Sequence, residues 1–258
     1  MKPLPHAQSR FWPLQAWLAV ALAGVAAPAV AMMLLVDATT PARLALVVGP
    51  ILAVGLMGVG MIAAAADGRL WIGVLLAILT GSGLILVART LGMPPLLHPF
   101  STGLAVIIAS ISFAARGALF ARSASDKGWW IAVSVVAGEA AILATALALP
   151  DTLPYWLLAM LPAQWASVAI QTALTGTGII AASSALLALV GTAAATLLVV
   201  WLWPRRWPYL IMFTAWLGLS ALVLHRPGPA MPRADFAIAA APAGGPDEGL
   251  SAVELAPR

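Results

Sequence analysis

Eight apolar runs, each about as long as a membrane-crossing helix, divide almost the whole chain: 14–36, 43–66, 70–88, 100–120, 129–149, 155–175, 178–203 and 207–225. A hydrocarbon core about 30 Å thick takes roughly 20 apolar residues of helix, and helices are the spanning form such runs can adopt. The breaks between them are short and polar. Asp37-Ala38-Thr39-Thr40-Pro41, Asp67-Gly68-Arg69, Arg89 to Pro99, Arg122 to Lys127, Pro150-Asp151 and Pro204-Arg205-Arg206 combine the charges and prolines that end helices at a water boundary.

Composition closes the alternatives. With 62% hydrophobic residues, 9% charged residues and a mean hydropathy of +1.01, the chain has too few charges to cover a water-facing surface. Most tryptophans fall at run ends, where indole rings favour the headgroup level: Trp12, Trp17, Trp71, Trp129, Trp130, Trp156, Trp201, Trp203 and Trp207. Trp165 and Trp216 lie inside runs and read as packing aromatics. Lys2 and Arg10 precede the first run, and Ala29-Val30-Ala31 resembles a signal-peptidase site. The run continues apolar to Val36, a length that fits a retained helix.

The expected fold is an all-α polytopic transmembrane bundle over 1–225, with a flexible Pro/Ala/Gly-rich tail over 226–258. Six prolines and a Gly244-Gly245 pair mark the tail, which lacks a periodic apolar pattern. About eight spans are expected, or seven if 155–175 is re-entrant. That run carries Pro162 near its middle, followed by Gln164, Ser167 and Gln171. Length favours eight, because 53 uncharged residues separate Asp151 from Arg205, enough for roughly 80 Å of helix. Lys and Arg counts place the N-terminus in the cytoplasm under either topology, with eight basic residues inside against four outside, Arg258 left aside. The expected location is a plasma membrane, the inner membrane of a bacterium.

Several function classes drop out. The +4 charge and basic pI fit basic cytoplasmic loops and not a nucleic-acid partner. The absence of cysteine removes thiolate metal sites and cysteine nucleophiles. His6, His98 and His225 all lie outside the apolar runs, so paired haem ligation is not expected, and no other cofactor or metal site is indicated. HExxH, GxSxG and paired intramembrane aspartates are missing, so no catalytic residues are assigned and an enzyme is not the favoured reading.

Glu139 is the leading candidate site residue. It sits at the midpoint of 129–149, where an ionised carboxylate costs at least about 2.5 kcal/mol. It must be protonated, paired or facing a wet cavity. Arg116 lies near the end of 100–120, shares a helical face with Ser112, and could snorkel to the cytoplasmic headgroups. Counting 1.5 Å per residue along a crossing sixth run places Gln164 at the depth of Glu139 and Gln171 near Arg116. The expectation is therefore a polar seam of Glu139 with Gln164 and Arg116 with Gln171. Glycines such as Gly55, Gly58, Gly60 and the Gly81-Ser82-Gly83 triplet read as helix packing, with a broken-helix site at the triplet as the sharper alternative. Two functions stay open: translocation of a proton or small solute with Glu139 at the site, or a noncatalytic accessory or assembly subunit. The partners expected are the lipid bilayer and either another membrane protein or a second copy of the chain.

Overall fold

The computed structural model describes residues 11–36, 41–149, 152–176, 179–203 and 207–225; the proposed tail, 226–258, lies outside them. Among the described residues there is no strand. The helices are α1 (Phe11–Ala21), α2 (Ala27–Val36), α3 (Pro41–Asp67), α4 (Leu70–Thr90), α5 (Pro99–Ala124), α6 (Gly128–Ala148), α7 (Tyr155–Ala159), α8 (Pro162–Thr175), α9 (Ile179–Trp201) and α10 (Trp207–His225). Among the described residues six helical stretches are long and apolar enough to cross a bilayer. One of them, Pro99–Ala148, holds both α5 and α6, separated by the tight turn Ser125–Lys127.

α1 and α2 form one helix joined by a π-helical turn, Leu22–Ala26. Pro28 explains the turn: it has no N–H to give Gly24, and its ring would collide with that carbonyl in a regular helix. The Ala27 N–H donates to the Leu22 carbonyl instead. Gly24 then lies directly on Val59, and a Cβ at Gly58 would sit 2.9 Å from the Ala23 carbonyl oxygen.

α3 is the hub. Of its apolar stretch 89% is buried inside the bundle, against 22% for α4. α1, α4, α5, α6 and α8 all pack on it. Close backbone approach makes this possible: a Cβ at Gly73 of α4 would meet the Gly60 carbonyl oxygen at 2.5 Å, and one at Gly117 of α5 would collide with the Met61 carbonyl. α4 runs unbroken through the Gly81-Ser82-Gly83 triplet. Gly81 there packs on Leu56 and Gly83 faces open space, so the triplet is packing and not a helix break.

The 155–175 run does not cross the bundle. α8 has 14 residues, roughly 21 Å of helix against a core of about 30 Å. Its N-terminus meets Glu139, eleven residues into α6 and so about 17 Å from that helix's start. Farther along, Gln171 lies against Gly49, near the start of α3. α8 ends with Gly176 beside the His98 Nε2, in the loop that joins α4 to α5. Those last contacts are on the end of the bundle where α6 finishes and α7 begins. α7 therefore enters from that end and α8 returns to it, a re-entrant hairpin. α9 then runs parallel to α5, with Ser112 on Leu189 and Arg116 on Thr192. α10 returns antiparallel, with Leu219 on Gly191. Among the described residues seven helices thus run from end to end of the bundle, counting α1–α2 as one, with the α7–α8 hairpin set among them.

Candidate functional site

The tip of the hairpin is built by Pro162. It takes the first position of α8, where its missing N–H costs nothing and its fixed φ starts the helix. Leu161 before it is extended and supplies no side-chain cap. The next N–H, that of Ala163, is one of the orphan donors every helix N-terminus carries. It donates to Glu139 Oε2 at 2.9 Å. An intramembrane carboxyl from α6 thus caps a helix that begins inside the bundle, the arrangement a helix dipole favours. Trp165 closes the other side of the break. Its ring is fully buried, and its Nε1–H donates to the Ala159 carbonyl at 2.8 Å, satisfying an acceptor α7 would otherwise strand.

Arg116 anchors a second polar group. Its Nη1 donates to Ser112 Oγ at 2.8 Å and to the Ser112 carbonyl at 3.2 Å, and its Nη2 donates to Thr192 Oγ1 at 2.9 Å. Both hydroxyls send their own protons elsewhere, Ser112 to the Leu189 carbonyl and Thr192 to the Ala188 carbonyl. They are thereby fixed as acceptors toward the guanidinium. The side chain runs back along α5 and not out toward its C-terminal end, the direction helical side chains take by construction. Arg116 and Glu139 form no ion pair. Among the described residues the one ion pair is Arg69 with Asp67, at the α3–α4 link.

The structure brings Glu139 to the start of the helix that carries Gln164, but the carboxyl takes the neighbouring backbone amide. Gln164 Oε1 has no hydrogen-bond partner. Arg116 joins Ser112, as their spacing of four implies, but not Gln171. The expected Arg116–Gln171 pair fails because the depth count assumed a crossing helix, and α8 turns back. Thr192, the Ala163 amide and Trp165 were not singled out as site residues. A proline at position 162 with only 14 residues to Gly176 was the available sign of a helix N-terminus there; Thr192 is one hydroxyl among many in α9 and had no such sign.

Among the described residues no group of three or more His, Cys, Asp or Glu comes together. Comparison with protein-family models, curated proteins and solved structures gives no match. In length and composition the helices are those of a membrane protein.

Proposed function

We propose that this protein carries protons across the membrane, with Glu139 as the group that takes up and releases them. The observation that carries the reading is the Glu139 hydrogen bond to the Ala163 N–H, at the tip of a re-entrant hairpin deep in the bundle. Helices broken inside a membrane protein, with their N-termini aimed at charge, are the pattern of transporter sites. One carboxyl oxygen is held by the amide, and Oε1 accepts no hydrogen bond among the described residues, so it is the atom that takes the proton. Arg116, whose guanidinium is held at Ser112, places a positive charge at about the depth of Glu139. The membrane is the plasma membrane, and the end with the Ser125–Lys127 turn is cytoplasmic. With seven crossings that side holds Lys2, Arg10, Arg69, Arg116, Arg122, Lys127, Arg205 and Arg206, against Arg43, Arg89, Arg226 and Arg233 on the other.

The test is proton uptake into proteoliposomes loaded with a pH-sensitive dye and driven by a potassium diffusion potential. The wild-type chain should acidify the interior faster than protein-free liposomes, and Glu139→Gln should fall to the protein-free rate while remaining monodisperse. Wild-type flux at background, or full flux in Glu139→Gln, overturns the reading. Background flux together with a stoichiometric membrane-protein partner in the purified material would favour an accessory subunit instead.

A further inference from the structure

Arg116 is an intramembrane charge that no acidic side chain among the described residues neutralises. Its guanidinium is held at Ser112, in the middle of the 26 residues of α5. The Arg69–Asp67 ion pair is at the bundle end, and the Glu139 carboxyl is taken up by the Ala163 N–H. Charged groups this deep in a bilayer protein pair with one another or face a wet cavity, and they mark ion and substrate sites. The partners of Arg116 are all neutral: Ser112 Oγ, the Ser112 carbonyl and Thr192 Oγ1. They use at most three of its five N–H groups, and the Nε–H is not among them. The buried atoms without a partner among the described residues are on Gln164, Ser167, Thr172 and Ser220, none on Arg116. The free Nε–H therefore opens on space that a small molecule can reach.

The exposure of α5 gives the direction of that opening. Toward the His98 end, Ser112, Ala109 and Ala105 continue the Arg116 face and are all buried. In the other direction Phe120 is half-buried and Ser123 is exposed, at spacings of four and three, although Ala118 and Leu119 beside them are buried. Arg116, Phe120 and Ser123 thus form one accessible strip from the guanidinium to the Ser125–Lys127 turn. It does not continue the lipid-facing side of α5, because the exposed Ile107 is nine residues from Arg116 and about 180° round the helix. α8 accounts for the opening. It packs on α5, begins at the depth of Glu139 and runs toward the His98 end, so the other half of α5 lacks that neighbour.

We propose that Arg116 binds a small soluble oxyanion, through a carboxylate or phosphate group, which enters from the end of the bundle that carries the Ser125–Lys127 turn. A guanidinium is suited to this, since it stays charged and offers several donors in one plane to paired oxygens. Ser112 and Thr192 hold it in place, because their own protons go to carbonyls of α9. Depth separates a soluble anion from a lipid headgroup. Lipid phosphates lie at the edge of a hydrocarbon core about 30 Å thick, roughly 15 Å from the middle of α5. The site does not depend on Glu139 carrying protons.

The test uses the full chain, with isotopically labelled arginine, in phosphatidylcholine nanodiscs. The Arg116 Nε–H resonance is the one missing from Arg116→Lys or Arg116→Gln, whichever stays monodisperse. Sodium phosphate, and separately sodium acetate, replaces sodium chloride at constant ionic strength. One or both should shift the Arg116 resonance saturably and leave the other arginines in place. No shift with either anion, or an unsaturated drift shared by all arginines, overturns the site. A resonance that moves when phosphatidylglycerol replaces phosphatidylcholine, and then ignores phosphate, overturns the soluble occupant in favour of a lipid headgroup. The chain contains no cysteine, so Phe120→Cys reports the route. In sealed vesicles of defined orientation, an anionic methanethiosulfonate should label it from the Ser125–Lys127 side, more slowly when phosphate is present. Labelling only from the His98 side, or from neither, overturns the route. Proton flux is scored separately: an anion-dependent shift without flux removes the proton-carrying reading and leaves this site, and flux without the shift does the reverse.

Discussion

Replacing Glu139 separates a cap on α8 from a pairing with Gln164. In Glu139→Gln the amide oxygen can still accept the Ala163 N–H, so stability should change little. In Glu139→Leu the acceptor is gone and the amide is left unpaired inside the bundle. An interhelical hydrogen bond in a membrane protein is worth about 0.6–2 kcal/mol, and stranding a buried donor costs about 1–3 kcal/mol. We expect Glu139→Leu to lose about 1–2 kcal/mol relative to Glu139→Gln. For a chain of this size that is a fall in Tm of roughly 2–8 °C, at about 2–4 °C per kcal/mol. Thermal unfolding in detergent, followed by circular dichroism and by loss of monodispersity, measures it. Gln164→Leu decides which partner matters. If the amide is the partner, the cost of Glu139→Leu is the same with and without Gln164→Leu, because the two sites are then independent. A cost that disappears in the Gln164→Leu background, or Glu139→Leu as stable as Glu139→Gln, refutes the cap.

Two further outcomes follow from the packing and the topology. Gly117→Ala drives a Cβ into the Met61 carbonyl and should cost about 1–3 kcal/mol in the same unfolding assay, whereas Gly83→Ala meets nothing within 4 Å and should be neutral or stabilising. With seven crossings, a cysteine at Ser125 should resist an impermeant thiol reagent added to intact cells while one at His225 is labelled; the same result at both positions would show an even number of crossings.

The helices were legible because each apolar run must satisfy its backbone internally, and charges or prolines mark the ends: Asp67-Gly68-Arg69 separates α3 from α4, as the sequence implies. The Ser112–Arg116 contact was equally legible, since a spacing of four fixes it within one helix. What was not legible came from tertiary direction. Counting residues gives depth only if the helix crosses; Pro162 leaves a re-entrant 155–175 open, and the reversal itself is decided by Gln171 meeting Gly49 and Gly176 meeting His98. The partner of Glu139 was missed for another reason. It is a main-chain N–H, which every residue but proline carries, so no side chain advertised it.

The burial of α3 has a consequence for how the chain is made. α3 is the second crossing element to be synthesised, yet it ends with almost no surface of its own facing outward. Its stretch is apolar enough to rest in lipid alone, so it can wait there while α4, α5 and α6 arrive around it. α8 cannot wait in that way, with Gln164, Ser167 and Gln171 on one face and an uncapped amide at its start. The order of translation resolves this. Everything α8 needs, Gly49 of α3 to lie against and Glu139 of α6 to cap it, has left the ribosome before it, and only α9 and α10 follow to close the bundle over it.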